Sequence, residues 1–136
     1  MGKKKIVLDT NMFISALGWQ GKPKQLLEKC IDGEFELIIS SNQLDELMRV
    51  MDYPKFAFTE EQKLTLLGII TAISTVVHIS NTLHIIKEDP DDNIILETAI
   101  GGDAEYIITG DPHLLQLKKF SKVNIMTGAE FLAMHS

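Results

Sequence analysis

The sequence predicts an α/β fold in which a parallel sheet of about five strands carries helices on both faces. Short apolar runs of the kind found in buried strands alternate along the chain with longer stretches whose apolar residues recur at helical spacing. Glycine, proline or a capping residue separates most of these segments, so the connections between them are short. Because alternating strands and helices favour parallel pairing through right-handed crossovers, the 136 residues are expected to form one domain, 1–136.

The first half of the chain contains clear strand and helix starts. In order, the predicted elements are a strand at Lys5–Leu8, helices at Met12–Leu17 and Lys24–Ile31, a strand at Phe35–Ile39 and a helix opened by Ser40. Ser40 and Gln43, three residues apart, form a capping-box pattern in front of an apolar helical stripe. Gly33 is expected to close the second helix, because glycine readily adopts the backbone that ends one.

The second half continues the alternation. Its predicted elements are a helix opened by Thr59 and Gln62, a strand at Val76–Ile79, a helix from Asp91 to Ile100, strands at Tyr106–Ile108 and Val123–Met126, and a last helix capped by Thr127 and Glu130. In the helix after Asp91, four apolar residues at helical spacing predict the buried face, and these are Ile94, Ile95, Ala99 and Ile100. Gly101 and Gly102 follow and end this helix.

The composition narrows the class of protein and its compartment. A net charge of -6 argues against a large basic surface for nucleic acid, although it is compatible with a local one. The longest apolar stretch, Leu66–Ile79, is shorter than the ~20 residues that a bilayer requires. The apolar run after Lys3–Lys5 is too short for a signal peptide, and the single cysteine, Cys30, is expected to be a buried thiol. The expected compartment is the cytoplasm.

Four acidic residues stand where a parallel sheet would bring them together. Asp9 and Asp111 each follow a predicted strand, Asp92 stands at a helix start, and Glu46 lies in the helix after the second strand. All four can reach the carboxyl edge, the edge of the sheet at which parallel strands end and ligands commonly bind. Carboxylates this close together raise one another's pKa or bind a cation. Their all-oxygen ligand set favours Mg²⁺ or Mn²⁺ over zinc.

Two of the acidic residues also have a simpler interpretation, and a third has a competing neighbour. Asp9 fits the N-cap of the following helix, and Glu46 lies off its apolar stripe, as a solvent-exposed surface carboxylate would. Asp91 is an alternative to Asp92 because the two are adjacent at the same helix start. The residues alone leave these alternatives open.

Four short segments carry a resemblance to a known family. They are Val7–Asn11, the Ser41–Val50 segment with Glu46, Asp89–Asp92 followed by Ala99, and Ile108–Asp111. In this order and spacing they resemble the PIN-domain nucleases, particularly the VapC-like branch of toxin–antitoxin toxins, and the resemblance covers nearly the whole chain. It implies a Rossmann-like sheet, a ribonuclease that depends on Mg²⁺ or Mn²⁺, a homodimer and a protein antitoxin that holds the enzyme inactive.

The resemblance also implies roles for individual residues. The family's acidic positions, which are catalytic and bind the metal, match Asp9, Glu46, Asp92 and Asp111, and its polar supporting positions match Asn11 and Thr109. Asp92 is preferred to Asp91 because Ala99 stands seven positions after it, the offset that the family has. The sequence departs from the branch at Asn93, where another aspartate is frequent, and at Pro112-His113, where a basic–acidic pair is frequent.

The chemistry that this set supports is hydrolysis of an RNA phosphodiester by a cation-activated water, without a side-chain nucleophile. Several lysines are candidate contacts for RNA phosphates, although scattered solvating charge explains each of them at least as well, and these are Lys4, Lys5, Lys22, Lys24, Lys118, Lys119 and Lys122. One alternative is a phosphatase with Asp9 as nucleophile, although Asn11 stands where such an enzyme has a partner acid. Another is a non-catalytic RNA- or protein-binding module on the same fold.

Overall fold

The computed structural model of the chain describes residues 2–18, 21–79 and 90–135. Within these ranges, the side chains of residues 17, 18 and 90–92 fall outside the description. For Asp91 and Asp92, the structure therefore describes the backbone but not the side chains.

The described residues form six strands and seven α-helices. The strands are β1 (Lys4–Leu8), β2 (Phe35–Ser40), β3 (Ser74–Val77), β4 (Tyr106–Ile108), β5 (Lys119–Phe120) and β6 (Val123–Met126). The helices are α1 (Thr10–Gly18), α2 (Lys22–Ile31), α3 (Ser41–Met51), α4 (Glu60–Ile73), α5 (Pro90–Gly101), α6 (Pro112–Leu115) and α7 (Gly128–Met134), with a 3-10 turn at Pro54–Phe56. Among them, no helix combines the length and the apolar character needed to span a bilayer.

The strands form one mixed sheet in the order β3-β2-β1-β4-β6-β5. Every neighbouring pair is parallel except β5 with β6, so five parallel strands carry one short antiparallel edge strand. The predicted α/β class with about five parallel strands is confirmed. The two residues of β5 were not predicted, because so short a strand carries no periodic pattern.

Helices pack on both faces of the sheet, as predicted. Along β1, Ile6 and Leu8 face one apolar cluster and Val7 faces the other, because successive side chains in a strand point to opposite faces. The first cluster includes residues of α1, α2, α3, α4 and α7, and the second includes residues of α5 and α6. The sheet is therefore buried between two helical layers.

The third strand begins two residues earlier than predicted. Helix α4 runs to Ile73, and β3 then starts at Ser74, opposite Leu37 of β2. Val76 remains 39% exposed because β3 forms the edge of the sheet. An edge strand of this kind lacks the continuous burial that would mark its ends in the sequence, so pairing with β2 sets its bounds.

The predicted buried face of α5 needs a correction. Ile95 and Ala99 are buried as expected, whereas Ile100 is 43% exposed. The neighbouring polar residues Glu97 and Thr98 are buried instead. The helix contacts three strands, β1, β2 and β4, so its buried surface is wider than one apolar stripe and accommodates polar side chains.

Two of the three predicted capping boxes are complete. In the boxes of Thr59 and Thr127, both reciprocal hydrogen bonds are present. In the third, Ser40 Oγ accepts the Gln43 N–H over 3.0 Å, but the Gln43 side chain does not return to Ser40. It donates instead to the backbone carbonyl of Leu8 over 2.6 Å, which connects α3 to the end of β1.

The single cysteine has the buried position that was predicted. Cys30 lies on the inner side of α2, and burial raises the pKa of its thiol to about 12, with a smaller contribution from the charge of Glu34. Since the thiolate is the reactive form, native protein at pH 8 is expected to remain unmodified by iodoacetamide. Intact-mass measurement should show one added group only after unfolding in urea. Stoichiometric labelling of the native protein would contradict this prediction.

Candidate active site

The order of the strands creates a crevice at the carboxyl edge between β1 and β4. From β1 the chain continues outward through β2 and β3, and it then returns to place β4 on the other side of β1. Connections leave this point in opposite directions, and ligands of open parallel sheets bind at such switch points. Asp9 follows β1 directly, and Asp111 follows β4 after two residues. Both predicted acids are therefore located at the switch point.

Asp9 is buried and is held mainly by Thr109. Its side chain is 8% exposed, and Thr109 Oγ1 donates to its Oδ2 over 2.7 Å. The backbone N–H of Asn11 donates to Oδ1 over a longer 3.4 Å. A capping contact to α1 is thus present but weak, and the closer partner belongs to the segment after β4. The Asn11 side chain itself is exposed, so this predicted supporting residue contacts Asp9 through its backbone.

Thr109 connects the two acidic residues. It is fully buried, and its hydroxyl donates to Asp9 while accepting the backbone N–H of Asp111 over 2.9 Å. The Asp111 Oδ1 in turn accepts the His113 N–H over 2.7 Å and caps the four-residue helix α6. Asp111 therefore has a structural role as a cap as well as its position beside Asp9.

The electrostatics of the pair reflect burial and like charge. Burial raises the pKa of Asp9, and the hydrogen bonds from Thr109 and the Asn11 backbone oppose that effect. The negative charge of Asp111 raises the pKa of Asp9 further. The two carboxylates are thus close enough to repel each other, and a bound cation would relieve that repulsion.

Glu46 is buried rather than solvated. It lies on α3 and is 5% exposed, so the interpretation as a surface carboxylate is wrong. Helix α3 packs against α1 and α5, which cover the side of the helix that the apolar stripe did not mark. Asp45, the preceding residue, is exposed.

The side chain of Asp92 lies outside the described residues, as does that of the competing Asp91. The topology nevertheless places their backbone. Helix α5 ends at Gly101, shortly before Glu105, whose N–H donates to the Lys5 carbonyl near the start of β1. Since that end of α5 lies at the amino edge of the sheet, its first turn lies at the opposite, carboxyl edge.

The donor set at this edge suits a hard divalent cation. Among the described residues, no three acidic, histidine or cysteine side chains are grouped so that they could hold a metal ion. The carboxylate oxygens of Asp9 and Asp111 are the adjacent pair, with Asp9 buried beside the Thr109 hydroxyl. Mg²⁺ commonly binds one or two carboxylates and completes its shell with waters and substrate phosphates. The pair fits such an ion, and the predicted four-carboxylate set includes a side chain that the structure does not describe.

The lysines are distributed between the two edges of the sheet. Lys4 and Lys5 stand at the start of β1, where Lys4 pairs with Glu105 over 3.3 Å, and Lys119 and Lys122 flank the start of β6. Lys22 is exposed and lies beside the start of α7 at the carboxyl edge. A Cβ atom added to Gly128, the first residue of α7, would lie 3.8 Å from the Cβ of Lys22. Of these five lysines, Lys22 is on the same edge as the acidic pair.

Three buried polar residues at this edge were not predicted from the sequence to belong to the site. Ser40, Gln43 and Thr98 are each fully buried and hydrogen-bonded to one another or to the end of β1. The capping-box pattern marked Ser40 and Gln43 as the start of a helix, but it gave no sign of burial. Thr98 carried no signal, because a threonine within a helix usually faces solvent or bonds its own backbone.

Comparison with known proteins gives three findings. The family model described as the PIN domain matches residues 5–113. An uncharacterised protein of Methanocaldococcus jannaschii is 34% identical over 128 residues, which cover 90% of this chain and 82% of that protein. The crystal structure of VapBC2 from Rickettsia felis bound to a DNA fragment from their promoter contains a similar chain, with a TM-score of 0.63 and 18% identity, covering 89% of this chain and 96% of that one. At that identity, the last similarity shows the fold alone.

Proposed function

The chain belongs to the PIN-domain family, a family of nucleases, and from this premise we propose that it is an endoribonuclease dependent on Mg²⁺ or Mn²⁺. The observation that carries this proposal is the carboxylate pair of Asp9 and Asp111 at the switch point, where the buried Thr109 hydroxyl donates to the Asp9 carboxylate and accepts the backbone N–H of Asp111. The raised pKa of Asp9 supports the same interpretation, because a buried carboxylate beside a second one is stabilised by a cation.

The four acidic residues would have two different roles at this edge. Asp9 and Asp111 would hold the ion, while Glu46 and Asp92 would complete its shell or orient the attacking water. When bound, a divalent cation lowers the pKa of water and stabilises negative charge on the phosphoryl group. Thr109 fixes the orientation of the Asp9 carboxylate through its 2.7 Å hydrogen bond, the usual function of a residue behind a metal ligand. None of these residues forms a covalent bond to the substrate.

The proposed partners are an RNA substrate, a second copy of the chain and a protein antitoxin. The similar fold in the Rickettsia felis structure belongs to VapBC2, a toxin–antitoxin complex, and this supports a toxin that a protein partner restrains. Lys22 supports contact with RNA at the carboxyl edge, because it adds positive charge on the side of the acidic pair. The chain's net charge of -6 limits such contacts to a small area.

Incubation of purified protein with end-labelled single-stranded RNA and with DNA of the same sequence tests the proposal. Internal cuts are expected in RNA when Mn²⁺ or Mg²⁺ is present, and EDTA should abolish them. RNA that is bound and left intact with either ion would instead identify a non-catalytic binding module. Cleavage that resists EDTA, or a trapped phosphate ester on Asp9, would contradict the cation-dependent mechanism.

A further inference from the structure

The Gln43 side chain bonds the backbone that carries Asp9. It is 0% exposed and lies on α3, one turn before Glu46. Its Nε2 donates over 2.6 Å to the carbonyl of Leu8, the last residue of β1. The N–H of the same peptide group, that of Asp9, donates to the Ile108 carbonyl of β4 over 3.1 Å. Both polar atoms of the peptide group that leads into Asp9 are therefore held, one by a side chain and one by a strand.

Strand β2, the neighbour of β1 on the side opposite β4, does not supply a hydrogen bond to the Leu8 carbonyl. Strand β1 pairs with β2 only from Lys4 to Ile6, whereas it pairs with β4 as far as Leu8. The Leu8 carbonyl therefore lies beyond the last β2 pair, where a buried acceptor still requires a donor. The Gln43 amide replaces that donor, which explains why it does not complete the capping box of Ser40.

The orientation of the Gln43 amide follows from its partner. A backbone carbonyl only accepts, so Nε2 must face Leu8 and the oxygen Oε1 must point away. Within the part of the chain that the structure describes, Oε1 has no hydrogen-bond partner. A buried oxygen without a hydrogen-bond partner lowers the stability of the fold. An apolar side chain of similar volume would fill the same space and avoid that penalty. Packing alone therefore does not explain an amide at this position.

Buried hydroxyl groups connect Gln43 to the helix on which Asp92 lies. The Gln43 backbone N–H donates to Ser40 Oγ, which lies 2.7 Å from Thr98 Oγ1. Thr98 uses its one hydroxyl proton to bond the Ile94 carbonyl over 2.7 Å, so Ser40 must be the donor to Thr98. The hydrogen bonds thus run without a break from α5, through the start of α3, to the end of β1.

We propose that Gln43 is a positioning residue of the candidate site, which fixes the end of β1 and with it Asp9 relative to the helices that carry Glu46 and Asp92. Its effect on a bound cation rests on the proposed function, whereas its effect on the Asp9 backbone does not. The role is distinct from that of Thr109, because Thr109 orients the carboxylate and Gln43 holds the peptide group before it.

Two measurements on Gln43→Met test the proposal, since methionine has a similar length and no N–H donor. The backbone amide of Asp9 is expected to exchange with solvent roughly two- to tenfold faster than in the core variant Ile70→Val, after correction for global stability. The Kd for Mn²⁺ is expected to rise about tenfold or more. Ile70 is fully buried on α4, so its variant reports a loss of packing without a change at Leu8.

A second variant, Gln43→Glu, tests whether the hydrogen bond to the Leu8 carbonyl itself protects the Asp9 amide. A protonated glutamic acid can donate its O–H to Leu8, whereas the ionised form cannot. Protection of the Asp9 amide in this variant should therefore approach that of the parent at low pH and fall as the new carboxyl group ionises, while Gln43→Met lacks that transition.

The outcomes separate this proposal from the proposed function. Equal protection of the Asp9 amide in Gln43→Met and Ile70→Val would overturn the positioning role, whatever the metal affinity. A selective loss of protection at Asp9 supports the positioning role. If the parent in the same experiments binds no Mn²⁺, the loss still supports that role, and the proposed function fails on its own.

Discussion

Replacement of Asp9 by asparagine is expected to lower the rate of Mn²⁺-dependent RNA cleavage by roughly a hundredfold or more. Asparagine keeps an oxygen that can accept the Thr109 hydroxyl, so the geometry of the site should survive. The substitution removes the charge that would hold the cation beside Asp111. Initial rates on a labelled single-stranded RNA, measured at several Mn²⁺ concentrations, check the prediction.

The same variant is expected to be at least as stable as the parent without metal. The pKa of Asp9 is raised in the folded state, mainly by burial, so ionisation of this group opposes folding. The stability advantage of Asp9→Asn should grow as the pH rises from the ordinary aspartate pKa through the raised value, and it should disappear at lower pH. Urea titrations at several pH values would show this trend.

Asp45→Asn is the matched control, because Asp45 is an exposed carboxylate on α3. Its cleavage rate should remain that of the parent. If Asp9→Asn cuts RNA as fast as Asp45→Asn does, Asp9 does not belong to the active site and has only the role of a weak helix cap.

Mn²⁺ is expected to raise the thermal stability of the parent, because it would bind the folded state and relieve the repulsion between Asp9 and Asp111. At a free concentration of about one hundred times Kd, the stabilisation should be about 2.7 kcal/mol. For a chain of 136 residues, that corresponds to an increase in Tm of roughly 9 °C. Melting curves recorded by circular dichroism over a range of Mn²⁺ concentrations provide the measurement.

Asp111→Asn should lose most of this increase, because one of the two adjacent carboxylates is gone. Asparagine retains an oxygen that can accept the His113 N–H, so α6 should remain capped and the metal-free Tm should change little. An equal increase in Tm for the parent and for Asp111→Asn would mean that the ion stabilises the protein elsewhere.

The sequence patterns were sufficient to place Asp9 and Asp111 at one edge of the sheet, whereas Thr109 was indicated by the family resemblance. Each aspartate follows a short apolar strand, and the ends of adjacent parallel strands lie side by side whatever the details of packing. This part of the site depends on local patterns and one topological rule. The patterns and the rule can be applied to the sequence alone. The structure agrees with the rule, because β1 and β4 are adjacent and parallel.

The burial of Glu46 and the contacts of Gln43 required the tertiary structure. Glu46 lies off the apolar stripe of α3, and only the packing of that helix against α1 and α5 encloses it. Gln43 occupies the third position of a capping box, a pattern that predicts a bond to Ser40. The early end of the β1–β2 pairing redirects the amide to Leu8, and no local pattern encodes where a strand pair stops.

Calorimetric titration of Mn²⁺ into the metal-free parent, Asp9→Asn and Asp111→Asn tests most directly whether the Asp9–Asp111 pair is a metal-dependent centre. Saturable binding is expected in the parent, and a loss of at least tenfold in affinity is expected in each variant. No binding to the parent up to several millimolar, or the same affinity in all three proteins, would contradict the assignment of the cation to this pair.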